Sequence, residues 1–380
     1  MIQFAERLNT VKEYYFSKKL REVRQLISEG KPVINIGIGS PDLQPPPLVI
    51  KAIQESLSEN GAHKYQSYQG LPEFRSAVAN FYKKEYDVTL NPNNEILPLM
   101  GSKEGIMHIS LALLNKEDQV LIPNPGYPTY SSVTNLLGAK PVYYNLDEAS
   151  NWQPNFEELE KLNTSKIKLM WVNYPHMPTG TSSTKETYKK LIAFGKKHNI
   201  VIVNDNPYSF ILNKHPQSIL QIEGAKDIAL ELNSLSKTFN MAGWRVGMLL
   251  GSESFLKEIL KVKTQMDSGM FYGIQKGAIE ALKTDKIWIN EQNEVYKKRQ
   301  QLIFQLAKKL GCTYNENASG MFVWAKLPEN KKAETIVDEL LYDKNIFVAP
   351  GTIFGSQGSG YIRFSLCVSE EKIKEAINRI

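Results

Sequence analysis

The sequence predicts an α/β fold: a large domain with a mostly parallel central sheet covered by helices on both faces, plus a smaller α+β domain built from both chain ends. Between residues 46 and 280, short apolar segments rich in Val, Ile and Leu alternate with helical stretches, which is typical of a parallel sheet. After residue 280, one long helical stretch precedes three strand-like segments, which indicates a separate unit. The length of 380 residues fits about two or three domains. We therefore predict a large domain over 46–280 and a small domain formed by 1–45 and 281–380.

Helical periodicity predicts the main helices. The first, at about 9–30, stops at Gly30, and the second, at 71–84, has Pro72 in its first turn. A third, at about 184–198, follows Ser183 and Glu186, which have capping-box spacing. The C-terminal unit adds helices at about 286–310, 332–343 and 369–379. The predicted apolar faces of the first three helices are Leu20, Val23, Leu26 and Ile27; Phe74, Val78 and Phe81; and Tyr188, Leu191 and Ile192.

Short apolar segments predict the strands. Four of them, at 119–123, 167–174, 200–205 and 228–233, alternate with helices in the large domain. Three more, at 321–327, 345–350 and 361–368, follow the long helix of the C-terminal unit. Because the first group alternates with helices, we expect its strands to share one sheet.

The composition excludes several classes of protein. Hydrophobic residues make up 42% and charged residues 23% of the chain, which argues against a disordered or fibrous protein. The net charge of +6 is spread over the whole length, so no nucleic-acid partner is implied. No apolar run is long enough to span a membrane, and the N-terminus lacks the apolar core of a signal peptide. With only two cysteines, far apart, we expect a cytoplasmic protein.

The histidines and nucleophile motifs exclude other chemistries. The five histidines show no metal-ligand spacing, so we predict no metal. No nucleophile-elbow motif and no phosphate-binding P-loop are present.

The most informative segment runs from Asn233 to Phe239 and continues to Arg245. Lys237 follows an apolar strand and is flanked by hydroxyls, a setting suited to a Schiff base with an aldehyde cofactor. Ser234, Ser236 and Arg245 are suited to holding a phosphate through charge-assisted hydrogen bonds. Taken alone, Lys237 also fits a solvated loop lysine.

The segment SLSKTFNMAGWRVG resembles the lysine segment of the class I/II, fold-type-I, pyridoxal-phosphate-dependent aminotransferases. The resemblance covers nearly the whole chain. It implies that residues 46–280 bind pyridoxal 5'-phosphate and that Lys237 carries it as a Schiff base. The implied activity moves an amino group between an L-amino acid and a 2-oxo acid.

The resemblance assigns three ring contacts to this cofactor. Asp205 matches the carboxylate that pairs with the protonated pyridine nitrogen, which makes the ring a better electron sink. Tyr208 matches the residue that hydrogen-bonds the phenolic oxygen, and Tyr127 matches the aromatic residue that stacks on the ring. Without the resemblance, Asp205 also fits a helix N-cap and Tyr127 a core or turn tyrosine.

Two further sites are anion sites. The turn from Gly101 through Ser102 and Lys103 opens a helix, whose free N–H groups suit a phosphate; in the resembling family this turn holds the cofactor phosphate. Arg363 lies inside an apolar strand, and its planar fork suits a carboxylate. In that family the matching arginine binds the substrate α-carboxylate, approached also by the backbone N–H that matches Gly39. An internal salt bridge of Arg363 stays open as an alternative.

The resemblance also implies a homodimer with shared active sites. Tyr65 matches a tyrosine that reaches the phosphate of the neighbouring subunit's cofactor. Ser268 matches a position that contributes a hydroxyl across the same dimer.

One position departs from the family pattern. Met177 occupies the place of an asparagine that contacts the ring oxygen and the substrate carboxylate, and a thioether is only a weak acceptor. Asn173 lies four residues upstream, about 13 Å away in an extended chain, so we do not expect it to substitute. His176 or a water is the remaining candidate.

Three functions are compared. The first is the aminotransferase, and the second is a β-elimination C–S lyase with the same cofactor, because the fold supports both. The third is the sensor domain of a transcription regulator. Such proteins carry a DNA-binding module ahead of the domain, and we expect the roughly 30 residues ahead of VINIGIG to be too few for one. The substrate side chain stays open between aromatic, aspartate, methionine and diaminopimelate types. The aromatic cluster Tyr14, Tyr15 and Phe16 lies where relatives place a mobile helix over the substrate, which favours an apolar side chain, but it also fits ordinary helix packing.

Overall fold

The computed structural model describes residues 2–11, 13 and 15–380, and its centre is a seven-stranded, mostly parallel sheet. The strands are β1 (Ile34–Asn35), β2 (Ile96–Leu99), β3 (Gln119–Asn124), β4 (Lys140–Asn145), β5 (Ile167–Val172), β6 (Val201–Asp205), β7 (Ala229–Ser234), β8 (Gly247–Leu250), β9 (Thr313–Tyr314), β10 (Phe322–Lys326), β11 (Ile346–Phe347), β12 (Ala349–Pro350) and β13 (Tyr361–Ser365).

The α-helices fill the spaces between these strands and extend past the last of them. They are α1 (Tyr15–Ser28), α2 (Pro47–Ser56), α3 (Pro72–Tyr86), α4 (Ser102–Leu113), α5 (Pro128–Leu136), α6 (Phe156–Leu159), α7 (Lys185–His198), α8 (Leu235–Thr238), α9 (Glu253–Lys263), α10 (Tyr272–Lys283), α11 (Lys286–Lys309), α12 (Ala333–Tyr342) and α13 (Glu370–Arg379). No helix in the described part of the chain is both long and apolar enough to cross a bilayer.

The large sheet has the order β2–β8–β7–β6–β5–β3–β4. Strands β3 to β7 pair in parallel, and β8 runs antiparallel to both of its neighbours. Successive side chains enter different apolar clusters: Met170 and Ile202 belong to one, and Leu169 and Val203 to the other. Both faces are therefore buried, as the continuous apolar segments predict, and the predicted α/β class is confirmed.

The two chain ends contribute to smaller sheets. Strand β1 pairs in parallel with β11, and β12, β13, β10 and β9 form an antiparallel sheet. The Arg379 guanidinium donates to the carbonyl of Pro32 at 2.8 Å. These contacts join the N-terminal segment to the C-terminal unit and support the proposed grouping, while the boundaries near residues 45 and 280 stay predictions.

Several details differ from the sequence predictions. The first α-helix begins at Tyr15 and not near residue 9, because Glu6–Thr10 form a separate 3-10 helix that has no buried residue to stabilise an α-helix. Ile27, in its last turn, is half exposed and not on the buried face. The N-cap of α7 is Thr184, not Ser183, because the Thr184 hydroxyl accepts from the N–H of Thr187 at 3.1 Å. The predicted strand 345–350 divides into β11 and β12, which pair with different partners.

A buried carboxylate joins the central strands. Glu231 in β7 is fully buried. Its oxygens accept hydrogen bonds from the Tyr82 hydroxyl at 2.8 Å, the Asn204 amide at 3.1 Å and the Ile219 N–H at 3.0 Å. Burial raises the pKa of Glu231, and these hydrogen bonds oppose that shift. The side chain therefore connects α3, β6 and β7 beneath the edge where the strands end.

Replacing Glu231 with leucine is expected to lower the free energy of unfolding by about 3 kcal/mol, because three buried donors lose their acceptor. Glu231→Gln keeps an acceptor oxygen and should lose less. The measurement is chemical denaturation followed by circular dichroism. Glu258→Ala is the control, since the exposed ion pair of Glu258 with Lys261 contributes at most about 1 kcal/mol. A loss in Glu231→Leu no larger than in this control would contradict the role of the network.

Candidate active site

A cavity of about 530 Å³ lies where the parallel strands end. Strand β6 ends at Asp205, β7 ends at Ser234, and Asn173 directly follows β5, so the polar ends of three neighbouring strands meet there. Ligand sites in α/β proteins occupy this edge of the sheet. The structure brings most of the predicted site residues to this cavity: Gly39, Ser102, Lys103, Tyr127, Asp205, Tyr208, Ser234, Ser236, Lys237, Arg245 and Arg363.

Lys237 lies in the short helix α8, immediately after β7, and its side chain enters the cavity. Its Nζ donates to the carbonyl oxygen of Gly39 at 2.5 Å, so Gly39 contacts Lys237 through its carbonyl. Burial lowers the pKa of Lys237, and the positive charges of Arg363 and Arg245 act in the same direction, while Cys367 opposes them. A lowered pKa makes the neutral, nucleophilic amine more available near neutral pH.

Asp205 presents one oxygen that protein groups do not satisfy. Its Oδ2 accepts from the Tyr130 hydroxyl at 2.8 Å, whereas the buried Oδ1 has no hydrogen-bond partner among the described residues. Burial raises the pKa of Asp205 to about 6, and the Tyr130 hydrogen bond opposes that shift. A buried carboxylate oxygen without a partner is costly, so this oxygen suits a cationic ring N–H.

Tyr130 is a site residue that the sequence analysis missed. Its ring stacks on Trp171 with centroids 4.9 Å apart and 4° between the planes. This packing aims the hydroxyl at Asp205. Its spacing of three residues from Tyr127 is the only sequence signal, and the stacking partner is too distant in the chain to infer.

Two further tyrosines line the cavity. Tyr127 caps α5, and its ring stands at 88° to that of Tyr130 with centroids 5.6 Å apart. The ring of Tyr208 lies 5.8 Å from that of Phe322. Burial raises the pKa of Tyr208, so its hydroxyl stays protonated and able to donate a hydrogen bond.

The anion site combines a helix terminus with a guanidinium. Helix α4 begins at Ser102, after Gly101 with φ +86°. The positive φ of Gly101 favours glycine, and a Cβ there would lie 2.2 Å from an Nη of Arg245 and would displace this guanidinium. Arg245 has a left-handed backbone with φ +56°, which is strained for a side-chain-bearing residue. The arrangement suits a phosphate at the N-terminus of α4.

The hydroxyls predicted to serve this anion site lie beside each other. The Ser234 Oγ accepts from the Ser236 N–H at 3.1 Å, and the two hydroxyl oxygens are 2.7 Å apart. Both side chains line the cavity together with Lys103. A group of hydroxyls and cations of this kind binds a phosphate by charge-assisted hydrogen bonds.

Arg363 extends from β13 into a ring of aromatic side chains. Its guanidinium carbon lies 3.9 Å from the centroid of Phe322 and 4.6 Å from that of Phe354. Its Nη2 donates to the carbonyl of Gly37 at 2.8 Å, and its Nη1 lies 3.3 Å from the Met177 sulfur. Aromatic faces stabilise the cation and fix its plane, so the guanidinium is held ready for an anion.

The expectation that Asn173 stays far from Met177 is wrong. The chain turns back after β5, so that the Met177 N–H donates to the Asn173 Oδ1 at 2.7 Å, and both residues line the cavity. The Asn173 Nδ2 donates to the backbone carbonyl of Asp205. His176 does not line the cavity; its Nδ1 lies 2.9 Å from the Thr179 hydroxyl, and burial lowers the pKa of His176 to about 3.

Tyr65 and Ser268 lie outside this cavity, on the protein surface. Both are exposed, Tyr65 by 90%. Their segments touch each other, because a Cβ on Gly269 would lie 2.4 Å from the carbonyl oxygen of Gln66. The structure therefore brings together the two surface segments that carry the residues predicted to serve a neighbouring subunit.

A cluster of acidic and histidine side chains lies near the start of α4. Ligand atoms of Glu104, His108 and Asp267 lie within 4.8 Å of one another. The two oxygens of Asp267 already accept from the buried Lys263 amine at 2.9 and 2.7 Å, and Glu104 lies 2.8 Å from the His108 Nε2. An ammonium at this place acts as the counter-ion of the carboxylate, which favours an ion-pair network.

Comparisons with known proteins agree with this geometry. The family model described as aminotransferase class I and II matches residues 31–380. The chain is 39% identical to the LL-diaminopimelate aminotransferase of Aquifex aeolicus, over 100% of this chain and 99% of the relative. It is 38% identical to that of Maridesulfovibrio salexigens, over 100% of this chain and 98% of the relative.

Solved structures are similar along the whole chain. Apo BacF from Bacillus subtilis superposes with a TM-score of 0.95 at 34% identity, covering 100% of this chain and 98% of that one. An aminotransferase from Staphylococcus aureus has a TM-score of 0.90 at 32% identity and covers 99% of this chain and 98% of its own.

Asp205→Asn is expected to stabilise the ligand-free protein at pH 7 and to leave its stability at pH 4 nearly unchanged. The folded pKa of about 6 lies above the ordinary value of 3.8, so folding favours the protonated acid. Below both pKa values the carboxyl is protonated in the folded and the unfolded protein, so it does not change the free energy of unfolding. As the pH rises through the two pKa values, ionisation of the buried group lowers the free energy of unfolding by a total on the order of 3 kcal/mol. Thermal unfolding across pH 4–8 measures this difference.

Asp227→Asn is the control for Asp205→Asn, because Asp227 is exposed and its carboxylate pairs with Lys196. Its stability should follow the wild-type pH dependence. Parallel pH curves for Asp205→Asn and the wild type would contradict the raised pKa.

Proposed function

The chain belongs to the class I and II aminotransferases and is a pyridoxal-phosphate-dependent enzyme, and on this premise we propose that the cavity at the strand ends is its active site. The observation that carries the proposal is that the Lys237 amine and the unsatisfied Oδ1 of Asp205 line one cavity. The covalent anchor and the ring-nitrogen partner that the cofactor requires are thus in one place.

We propose that the cofactor is held at its two ends. The phosphate binds at the N-terminus of α4, where Ser102, Lys103 and Arg245 line the cavity with Ser234 and Ser236. Tyr127 would stack on the ring, and Asp205 would pair with the ring nitrogen. Tyr208, whose hydroxyl stays protonated, would donate a hydrogen bond to the ring oxygen. Because the anion site at the N-terminus of α4 and the carboxylate of Asp205 are separate, they would bind opposite ends of the cofactor and so set its orientation.

Lys237 both anchors the cofactor and moves the proton in this proposal. When bound, pyridoxal phosphate supplies a conjugated electron sink for the electrons released as the substrate Cα–H bond breaks. The Lys237 Nζ would take the proton from the substrate Cα and would deliver it to the C4′ carbon of the cofactor, which is joined to the substrate nitrogen. Its lowered pKa suits a base that must be neutral before it accepts a proton.

Arg363 binds the substrate α-carboxylate in this proposal. Its fixed guanidinium, held by Phe322 and the Gly37 carbonyl, orients the substrate so that Cα lies near the Lys237 amine. The second substrate, a 2-oxo acid, carries the same carboxylate and uses the same site. The relatives named above are aminotransferases, and this supports amino transfer over β-elimination.

A homodimer completes the proposed site. Tyr65 and Ser268 lie together on the surface, and exposed apolar side chains of Met266 and Phe271 flank Ser268 in the chain. Such a patch suits burial against a second copy, where Tyr65 would reach the partner's phosphate site.

The two cysteines are unpaired, which supports a cytoplasmic location.

Lys237→Ala is expected to abolish covalent attachment of the cofactor and to lower turnover on the order of 10²–10⁴-fold or more, because anchor and proton carrier are lost together. Borohydride treatment followed by mass spectrometry detects the attached cofactor and the peptide that holds it. Lys214→Ala, at an exposed loop lysine, is the matched control and should keep both properties. A labelled peptide containing a lysine other than Lys237 would refute the assignment.

Mixing two inactive or weakened variants tests the shared site. Tyr65→Ala weakens phosphate binding and Lys237→Ala removes the anchor, so neither homodimer should be active at limiting cofactor. In a mixed dimer one site regains both residues, and activity should approach about one quarter of the wild-type value when the chains mix at random. Sedimentation should give twice the chain mass of 43.1 kDa. No gain on mixing would mean that Tyr65 does not act across a dimer.

A further inference from the structure

The backbone of residues 36–44, called here the glycine segment, contacts two of the cations that line the cavity. The carbonyl of Gly37 accepts a hydrogen bond from the Arg363 Nη2 at 2.8 Å, and the carbonyl of Gly39 accepts one from the Lys237 Nζ at 2.5 Å. Hydrogen bonds from charged donors are stronger and more directional than neutral ones. The position of the glycine segment therefore affects the direction in which both cations point.

The glycine segment also packs against the aromatic ring that faces Arg363. A Cβ on Gly39 would overlap the Phe322 ring, and the guanidinium carbon of Arg363 lies 3.9 Å from the centroid of the same ring. In an interior packed this closely, a shift of the Gly39 backbone would displace the ring. The segment thus affects Arg363 by two routes, through the Gly37 carbonyl and through Phe322.

Arg299 of α11 attaches the glycine segment to the strand that carries Arg363. Its Nη1 and Nη2 donate to the two carboxylate oxygens of Asp42 at 2.6 and 2.9 Å. Its Nη1 also donates to the carbonyl of Leu366 at 3.0 Å, and Leu366 directly follows β13. Arg299 is buried, and a bidentate pair restricts both distance and orientation. One guanidinium therefore fixes the segment relative to β13.

A second contact holds the end of the glycine segment against the same helix. The Asn240 Nδ2 donates to the backbone carbonyl of Gln44 and to the Gln292 Oε1, each at 3.1 Å. The Tyr296 hydroxyl donates to the Asn240 Oδ1 at 3.3 Å. The spacing of Gln292, Tyr296 and Arg299, four and three residues apart, puts them on one face of α11. This face of α11 holds the segment from outside the cavity.

The contacts at Asp42 and Gln44 gain importance in the cofactor-bound protein. Under the proposed function the Lys237 amine is taken up by the cofactor, so the Gly39 carbonyl loses its donor. Asp42 and Gln44 are not among the described residues that line the cavity, so a ligand there does not compete for their contacts. The ion pair of Asp42 is the stronger of the two contacts, because both of its partners are charged.

We infer, on the basis of the proposed function, that Asp42 and Arg299 are positioning residues for the substrate α-carboxylate site. They hold the Gly37 carbonyl against the Arg363 guanidinium, so that this guanidinium meets a carboxylate in one orientation. Both act through the glycine segment and β13 rather than by contact with the substrate. Loss of the pair therefore weakens substrate binding more than it slows proton transfer, because Lys237 belongs to another element.

Asp42→Asn is the first test, because the Asp42 side chain is 33% exposed and the protein should fold without its charge. The donor is whichever of L-glutamate, L-aspartate, L-phenylalanine and LL-diaminopimelate converts the cofactor of the wild-type holoenzyme fastest. KM should rise about 10-fold and kcat should stay within about 3-fold. Asp42→Glu keeps the charge and should return KM to within about 3-fold of wild type.

Asp87→Asn is the matched control, because Asp87 is an exposed carboxylate that pairs with Lys83 at 2.6 Å. It should leave KM and kcat unchanged. An unchanged KM in Asp42→Asn, or a fall in kcat as large as the rise in KM, would overturn the positioning role while the aminotransferase stands. If none of the four donors converts the cofactor of the wild-type holoenzyme, the proposed function is refuted instead.

Hydrogen exchange of the ligand-free protein tests the attachment of the glycine segment without turnover. The N–H groups of Gly37 and Ile38 donate to the Asn35 Oδ1 at 3.0 and 3.3 Å, so their exchange rates report on local opening. In Asp42→Asn they should exchange about 10-fold faster, whereas amides of β6 should keep their wild-type rates. Wild-type exchange at both amides would show that the ion pair does not hold the segment.

Arg299→Lys tests whether the two residues act as a pair. A single ammonium cannot reproduce the bidentate contact, so KM should rise as it does in Asp42→Asn. The double variant should exceed the larger single effect by no more than about 2-fold. Lys286→Met on the same helix is the control, because Lys286 is exposed and pairs with Glu85, and it should leave KM unchanged. Single effects that multiply in the double variant would overturn the pair.

Discussion

The active-site edge of the fold depends on the C-terminal ends of three neighbouring parallel strands, β5, β6 and β7, being fixed relative to one another. The buried side chain of Glu231 provides much of this fixation. In the sheet register Glu231 is opposite Asn204, and Asn204 is opposite Val172. The carboxylate bonds the Asn204 amide, whose own oxygen accepts from the N–H of Tyr174 at 3.3 Å. One buried network thereby fixes the residues that precede Asp205 and follow β5. A polar network of this kind rigidifies its surroundings only when it is fully satisfied.

Because the strand ends are rigid, the site can contain a buried charge and a strained backbone conformation, both of which lower the stability of the fold. The buried carboxylate of Asp205 has a raised pKa, and Arg245 keeps a left-handed backbone beside Gly101. Each is unfavourable in the isolated chain. In the proposed complex an opposite charge would offset each of them, a ring cation at Asp205 and a phosphate at Arg245. Cofactor binding would then stabilise the fold through the same residues.

Local motifs made much of the site predictable, and long-range packing accounts for the rest. The resemblance assigned Lys237 and Asp205 to one cofactor. Asp205 ends β6 and Lys237 follows β7, and because the carboxyl ends of parallel strands meet at one edge, both residues line one cavity. Tyr130 was missed because its orientation comes from stacking on Trp171. Asn173 was misjudged because an extended chain was assumed where the backbone turns back. For the fold, the alternation of strands and helices identified the large sheet, but helix ends depended on packing, as the late start of α1 shows.

The surroundings of Arg363 affect how strongly the proposed site would bind a carboxylate. In water a guanidinium is screened by solvent; here Phe322 and Phe354 replace that solvent and contact its faces. The Met177 thioether extends the apolar surface to the guanidinium edge. Because an apolar surrounding strengthens a charge–charge contact, the same rings would strengthen the contact that we propose between Arg363 and a substrate α-carboxylate.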